Sequence, residues 1–146
     1  MAYEHTAEEF TDTGLLPRVL LGIGTLVAVV ATAGSLYLSL GLCLLPCKLC
    51  WYQRILMYPL VVVLGVAFLE GRPSVYRTVT PMALLGAATA AYHSYIQIHP
   101  TSGYCTVGCS TVQYTVFGLT IPNLSLLGFG LVLLTMAGLR YLSYGN

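Results

Sequence analysis

Two long stretches of the chain carry no ionisable acid or base of the Asp, Glu, Lys or Arg type: residues 19–47 and residues 78–139. Between them, residues 49–69 hold a single charge, Arg54. Spanning a bilayer takes about 20 mostly apolar residues. The pattern therefore predicts one helix over about 19–40, a second over about 50–69, and a third and fourth over about 79–98 and 120–139. Apolar residues run around the whole circumference of these segments, as expected for helices that meet lipid or other helices on every side. Gly22, Ala33 and Gly34 offer small positions for close helix approach. Pro59 falls inside the second segment, which membrane helices tolerate. Glu70-Gly71-Arg72-Pro73 reads as a turn, Pro100-Thr101-Ser102-Gly103 ends the third helix, and Pro122 suits the first turn of the fourth.

Composition agrees with the pattern. Of the 146 residues, 57% are hydrophobic and only 8% charged, too few charges to clothe a soluble core. The fold class expected is an all-α membrane protein: a four-transmembrane-helix bundle with two short extracytoplasmic cysteine loops. Residues 1–17, with Glu4, Glu8, Glu9 and Asp12 and no basic start, are expected to be a polar cytoplasmic tail, and residues 18–146 one domain. A net charge of +1 without a basic cluster argues against nucleic acid. Arg18, Arg72, Arg77 and Arg140 fall on one side of a four-helix layout, against Lys48 and Arg54 on the other. That imbalance predicts cytoplasmic termini in the cell membrane, with both cysteine loops outside.

Five cysteines then take on meaning. Cys47 and Cys50 form one close pair and Cys105 and Cys109 a second, which reads as disulfide chemistry on the oxidising side of a membrane. The setting lacks the polar, water-accessible surroundings of a zinc site, and no metal is expected. Haem is excluded because no histidine lies in the other spans opposite His93. Cys43 is left over and reads as a small buried hydrophobe. Cys50 at a helix start meets unpaired N–H groups and the positive dipole end, which favour its thiolate. Arg54, four residues on, shares its face and can stabilise a developing oxyanion; its plainer role is an interfacial anchor. His93 and Gln97 share a face near the outer end of the third helix. They can position a carbonyl or carry protons, or simply bond one helix to its neighbour.

These residues carry a resemblance. Pro46-Cys47-Lys48-Leu49-Cys50-Trp51-Tyr52-Gln53-Arg54, His93-Ser94-Tyr95-Ile96-Gln97, the second cysteine pair and Ile121-Pro122-Asn123-Leu124-Ser125-Leu126 resemble the DsbB family of disulfide-bond-formation proteins, in its BdbC-like branch. The resemblance implies a quinone-dependent protein-disulfide oxidoreductase that reoxidises a DsbA- or BdbD-like thioredoxin-fold partner and passes the electrons to menaquinone or ubiquinone. It implies that Cys105 meets the partner's thiolate, that Cys109 then attacks Cys47, and that Cys50 faces the quinone beside Arg54, His93 and Gln97. The second pair is closer in sequence than in longer-looped members, whose amphipathic segment between these cysteines is absent.

Two other readings fit parts of the pattern. A vitamin K epoxide reductase-like protein also couples cysteines to quinones, but its Cys-x-x-Cys is expected late in the chain. A non-catalytic membrane scaffold would use the same disulfides merely to fasten loops.

Overall fold

The computed structural model describes residues 2–99 and 114–145. Cys105 and Cys109 lie outside the described residues. Four helices make up nearly all of the rest: α1 (Ala2–Leu36), α2 (Lys48–Glu70), α3 (Tyr76–Ile98) and α4 (Ile121–Gly145). Helix α1 begins well before residue 19, and at its outer end it passes into a π-helical turn, Tyr37–Gly41. Helix α2 ends at Gly71, whose φ of 63° allows the left-handed cap that returns its N–H to the carbonyls of Ala67 and Phe68. A single 3₁₀ turn, Pro73–Val75, leads into α3.

The helices pack in a ring. Each contacts its sequence neighbours, and α1 closes against α4. The buried positions explain why. Met57, Leu60, Leu64 and Ala67 on α2 recur at spacings of three and four, as do Val79, Ala83, Gly86 and Ala90 on α3 and Phe129, Val132, Met136 and Leu139 on α4. This is the seam spacing of a helix bundle. Large side chains off the seam, such as Leu26, Val62 and Leu134, are more than 60% exposed, the surface that lipid would cover.

Among the described residues, three helical segments are long and apolar enough to cross a membrane: Gly14–Gly41, Lys48–Glu70 and Ile121–Gly145. Helix α3 is the least apolar because its seam is built from small residues and its outer end carries Thr89, His93, Ser94 and Gln97. Small seam residues let α4 come close, and Phe129 fills the space that Gly86 leaves.

Two local features depart from the sequence reading. The stretch before α4 closes as a tiny hairpin, β1 (Thr115–Val116) against β2 (Leu119–Thr120), around Phe117 and Gly118, both at positive φ. That backbone matches a two-residue hairpin turn. Cys43, expected to be buried, is exposed and sits at φ 53°, because the chain must reverse between the π turn and α2.

Four of the six basic residues, Arg18, Arg72, Arg77 and Arg140, gather at the opposite end from the Cys-x-x-Cys. The Arg18 side chain lies against Gly71, and Arg77 and Arg140 line one cleft with Tyr76 and Tyr144.

Gly86→Ala tests the seam. On helix propensity alone, Ala should gain about 1 kcal/mol over Gly. Its Cβ, however, would overlap the Phe129 ring. Overpacking of that kind costs about 1–3 kcal/mol. The expected result is a lower unfolding midpoint in detergent, recovered by adding Phe129→Leu; an unchanged or higher midpoint for the single variant contradicts this packing.

Candidate functional site

The site is the Cys-x-x-Cys end of the α2–α3 seam. Continuing the spacing of Met57 back along α2 reaches Gln53, and continuing that of Ala90 along α3 reaches His93. Both are buried, at 5% and 2% exposure, among otherwise apolar surroundings. Polar groups buried there need partners, and they find each other: the Gln53 amide nitrogen lies 3.2 Å from His93 Nδ1. With Nδ1 accepting from the amide, the ring proton sits on Nε2, which faces Cys47 Sγ at 3.7 Å.

Cys47 is the N-cap of α2. Its extended backbone (φ −71°, ψ 170°) turns the sulfur back over the first turn, where it accepts from the Cys50 N–H at 3.4 Å. The two sulfurs are 3.0 Å apart in the dithiol state. Just ahead of the span, the Cys47 thiol is pushed up to about 11 from 9.0. The causes are its hydrogen bond with Cys50 and its partial burial, against a smaller opposing effect of His93. The thiol nearer His93 thus holds its proton.

The other side of the same helical turn faces a cavity of about 690 Å³ between α1, α2 and α4. Its walls are mainly aliphatic, including Val27, Val30, Leu38 and Leu127, and the polar residues of α2 that line it are Cys50, Gln53, Arg54 and Tyr58. Arg54 does not swing out to solvent. Its Nε donates to Ser35 Oγ at 2.9 Å, its Nη2 donates to the Ser35 carbonyl at 3.1 Å and to Ser39 Oγ, and its guanidinium lies 5.8 Å from the Trp51 ring centroid. Hydrogen bonds to charged groups contribute about 1.5–3 kcal/mol each. Three of them hold the charge on the cavity wall.

Comparison with known proteins identifies the family. The sequence model of the family described as "Disulfide bond formation protein DsbB" matches residues 17–139. The chain is 44% identical over 128 residues to "Disulfide bond formation protein C" of Bacillus subtilis, covering 84% of this chain and 93% of that one. It is 41% identical over 132 residues to a "Probable disulfide formation protein" of Deinococcus radiodurans, covering 77% and 83%. A protein of the same description from Coxiella burnetii is 36% identical over 120 residues, covering 77% and 82%. This chain belongs to the DsbB family. No solved structure is significantly similar to it.

Within this DsbB-family bundle, the sequence-derived candidates separate into groups. Cys47, Cys50 and His93 come together, with their ligand atoms within 4.8 Å of one another. Arg54 and Cys50 share the cavity, whereas His93 lies behind them and does not line it. Gln97 lies one turn beyond His93, away from the cavity, its Oε1 buried and without a hydrogen-bond partner among the described residues. Ser94 beside them bonds to Asn123, tying α3 to the first turn of α4. Sequence reasoning gave no role to Gln53, Ser35 or Ser39. Gln53 could have been found from its seam position, since a glutamine four before Met57 replaces an expected apolar residue. The two serines carry no comparable signal.

The elevated Cys47 thiol makes a testable difference. At pH values below 9, a group at about 11 holds about 100-fold less thiolate than one at the ordinary 9.0. Alkylation of Cys47 in the reduced protein, followed by peptide mass spectrometry, should therefore be slow at pH 8 and rise steeply only towards pH 11. Rapid modification at pH 8 would contradict the hydrogen-bonded dithiol.

Proposed function

We propose that the chain is a membrane thiol oxidase that takes two electrons from an extracytoplasmic thioredoxin-fold dithiol protein and delivers them to a membrane quinone, menaquinone or ubiquinone. The observation that carries this reading is the division of the Cys-x-x-Cys turn. Cys50 opens onto an apolar cavity with a fixed guanidinium, while Cys47 sits against His93 on the other side. A disulfide that merely fastened loops would need neither the cavity nor the held charge, and the family disfavours the vitamin K epoxide reductase-like alternative.

The cavity fits a quinone head group: apolar walls for the ring, with Arg54 and the Gln53 amide as donors to a carbonyl oxygen. When bound, the quinone supplies a two-electron, two-proton acceptor. The remaining chemistry belongs to the protein. The partner's thiolate attacks Cys105, the released Cys109 attacks Cys47 Sγ, and the electron pair of the broken Cys47–Cys50 bond leaves on Cys50 Sγ. The start of α2 and the nearby Arg54 favour negative charge there. His93 Nε2 holds or accepts the proton at Cys47 Sγ, and Gln53 orients the ring. Because a glutamine amide offers both a donor and an acceptor, turning it serves either imidazole tautomer. The gathering of Arg18, Arg77 and Arg140 at the far end supports cytoplasmic termini, with the cysteines at the outer face.

Turnover is measured as quinol formed by purified protein from reduced partner and added quinone. Cys47→Ser and Cys50→Ser should each abolish it, and normal turnover in either sinks the mechanism. Arg54→Gln should lower the rate by about 10²-fold, the scale for losing one charge-stabilising donor. A rate within twofold of the parent would return Arg54 to a structural anchor.

A further inference from the structure

The geometry points to a second use of the reduced site: Cys47, Cys50 and His93 form a Zn²⁺ site that blocks the dithiol from oxidation. No metal is expected from the cysteine spacing alone, because the third ligand arrives from α3, distant in sequence. The fold places the two sulfurs and His93 Nε2 within 4.8 Å of one another.

The distances suit zinc. Zn–S bonds of about 2.3 Å and Zn–N bonds of about 2.0–2.1 Å at tetrahedral angles put sulfur and nitrogen about 3.6 Å apart and two sulfurs about 3.8 Å apart. Cys47 Sγ and His93 Nε2 are 3.7 Å apart, already at the required spacing. The sulfurs, at 3.0 Å, need only a turn of one cysteine side chain. The imidazole has the outer partner that metal-bound histidines use. The Gln53 amide nitrogen lies 3.2 Å from Nδ1; turned over, the amide would accept from Nδ1–H when Nε2 is on the metal, which fixes the ring.

Charge also favours the complex. Zn²⁺ displaces one proton from each thiol, two protons are released, and no electrons move. Two thiolates and a neutral imidazole then cancel the dication, so little net charge is buried beside the apolar cavity. Arg54 is engaged by Ser35 and Ser39 and supplies no ligand. Three protein ligands leave the fourth position to water.

If the thiol-oxidase reading above holds, on which the inhibitory part rests, zinc capture halts turnover after reduction, since liganded thiolates are unavailable for exchange. Binding itself needs neither quinone nor partner, so it is tested separately.

Full-length protein in detergent is reduced with a phosphine, mixed with Zn²⁺, and titrated against a chromophoric chelator. The same is done with a chain in which Cys43, Cys105 and Cys109 are replaced by serine. One Zn²⁺ per chain should bind to both reduced forms and none to the oxidised protein. His93→Ala should weaken binding at least about tenfold, since even outer-shell changes cost that much. X-ray absorption of the zinc-loaded serine-substituted chain should give two sulfurs and at least one imidazole nitrogen, a readout that survives if His93→Ala fails to fold. No stoichiometric binding, or a shell without imidazole, would overturn the site. Zinc bound as described with undiminished oxidase turnover would overturn the inhibition alone.

Discussion

The hydrogen bond between Gln53 and His93 ties the first turns of α2 to the last turns of α3, at the point where the apolar seam of the bundle meets the outer surface. It is 3.2 Å long, and both partners are almost wholly buried. A buried polar group that loses its partner costs about 1–3 kcal/mol. The pair is therefore held together, and the orientation of the imidazole follows from it. Because Gln53 occupies Nδ1, Nε2 is turned towards Cys47 rather than towards the cavity. The same helical turn carries Cys50 and Arg54 on its other side. One contact between two helices thus sorts four reactive groups into two environments.

Those environments differ in the charge they favour. Cys47 faces a neighbouring thiol and an imidazole N–H, and its hydrogen bond with Cys50 together with partial burial keeps it protonated. Cys50 lies on a cavity wall with a guanidinium that donates two hydrogen bonds to Ser35 of α1 and one to Ser39 of the π turn. Holding that charge in place explains why a positive side chain can line a largely aliphatic cavity: three of its donors are engaged and its position is fixed. A cysteine pair in a symmetric setting can exchange electrons in either direction. Here the setting gives each sulfur its own neighbour.

Much of this was legible in the chain. The uncharged runs located the membrane helices, because charge is costly in a bilayer wherever it lies on a span, and the Cys-x-x-Cys with Arg54 at i+4 marked the turn that borders the cavity. Other features depend on tertiary packing that no local pattern encodes. His93 and Gln97 share a face by spacing. Yet the seam brings only His93 to the cysteines, and it does so from behind Cys50. Ser35 and Ser39 are ordinary helix serines until α2 places a guanidinium against them. Cys43 looked like a core residue by type, but the reversal from the π turn into α2 sets it outward in a left-handed conformation. The lower apolarity of α3 has the same origin, since a helix packed on two neighbours can carry a seam of small residues and a polar outer end.

The central claim is that Cys47 receives the incoming electrons and Cys50 releases them. It is tested most directly by peptide mapping of disulfide-linked species trapped with reduced partner in Cys50→Ser and Cys47→Ser chains. The account predicts that a linkage between Cys47 and a cysteine of the 105–109 loop accumulates in the Cys50→Ser chain, with little corresponding linkage through Cys50 in the Cys47→Ser chain. Equal trapping through both cysteines, or a linkage formed chiefly through Cys50, would contradict it.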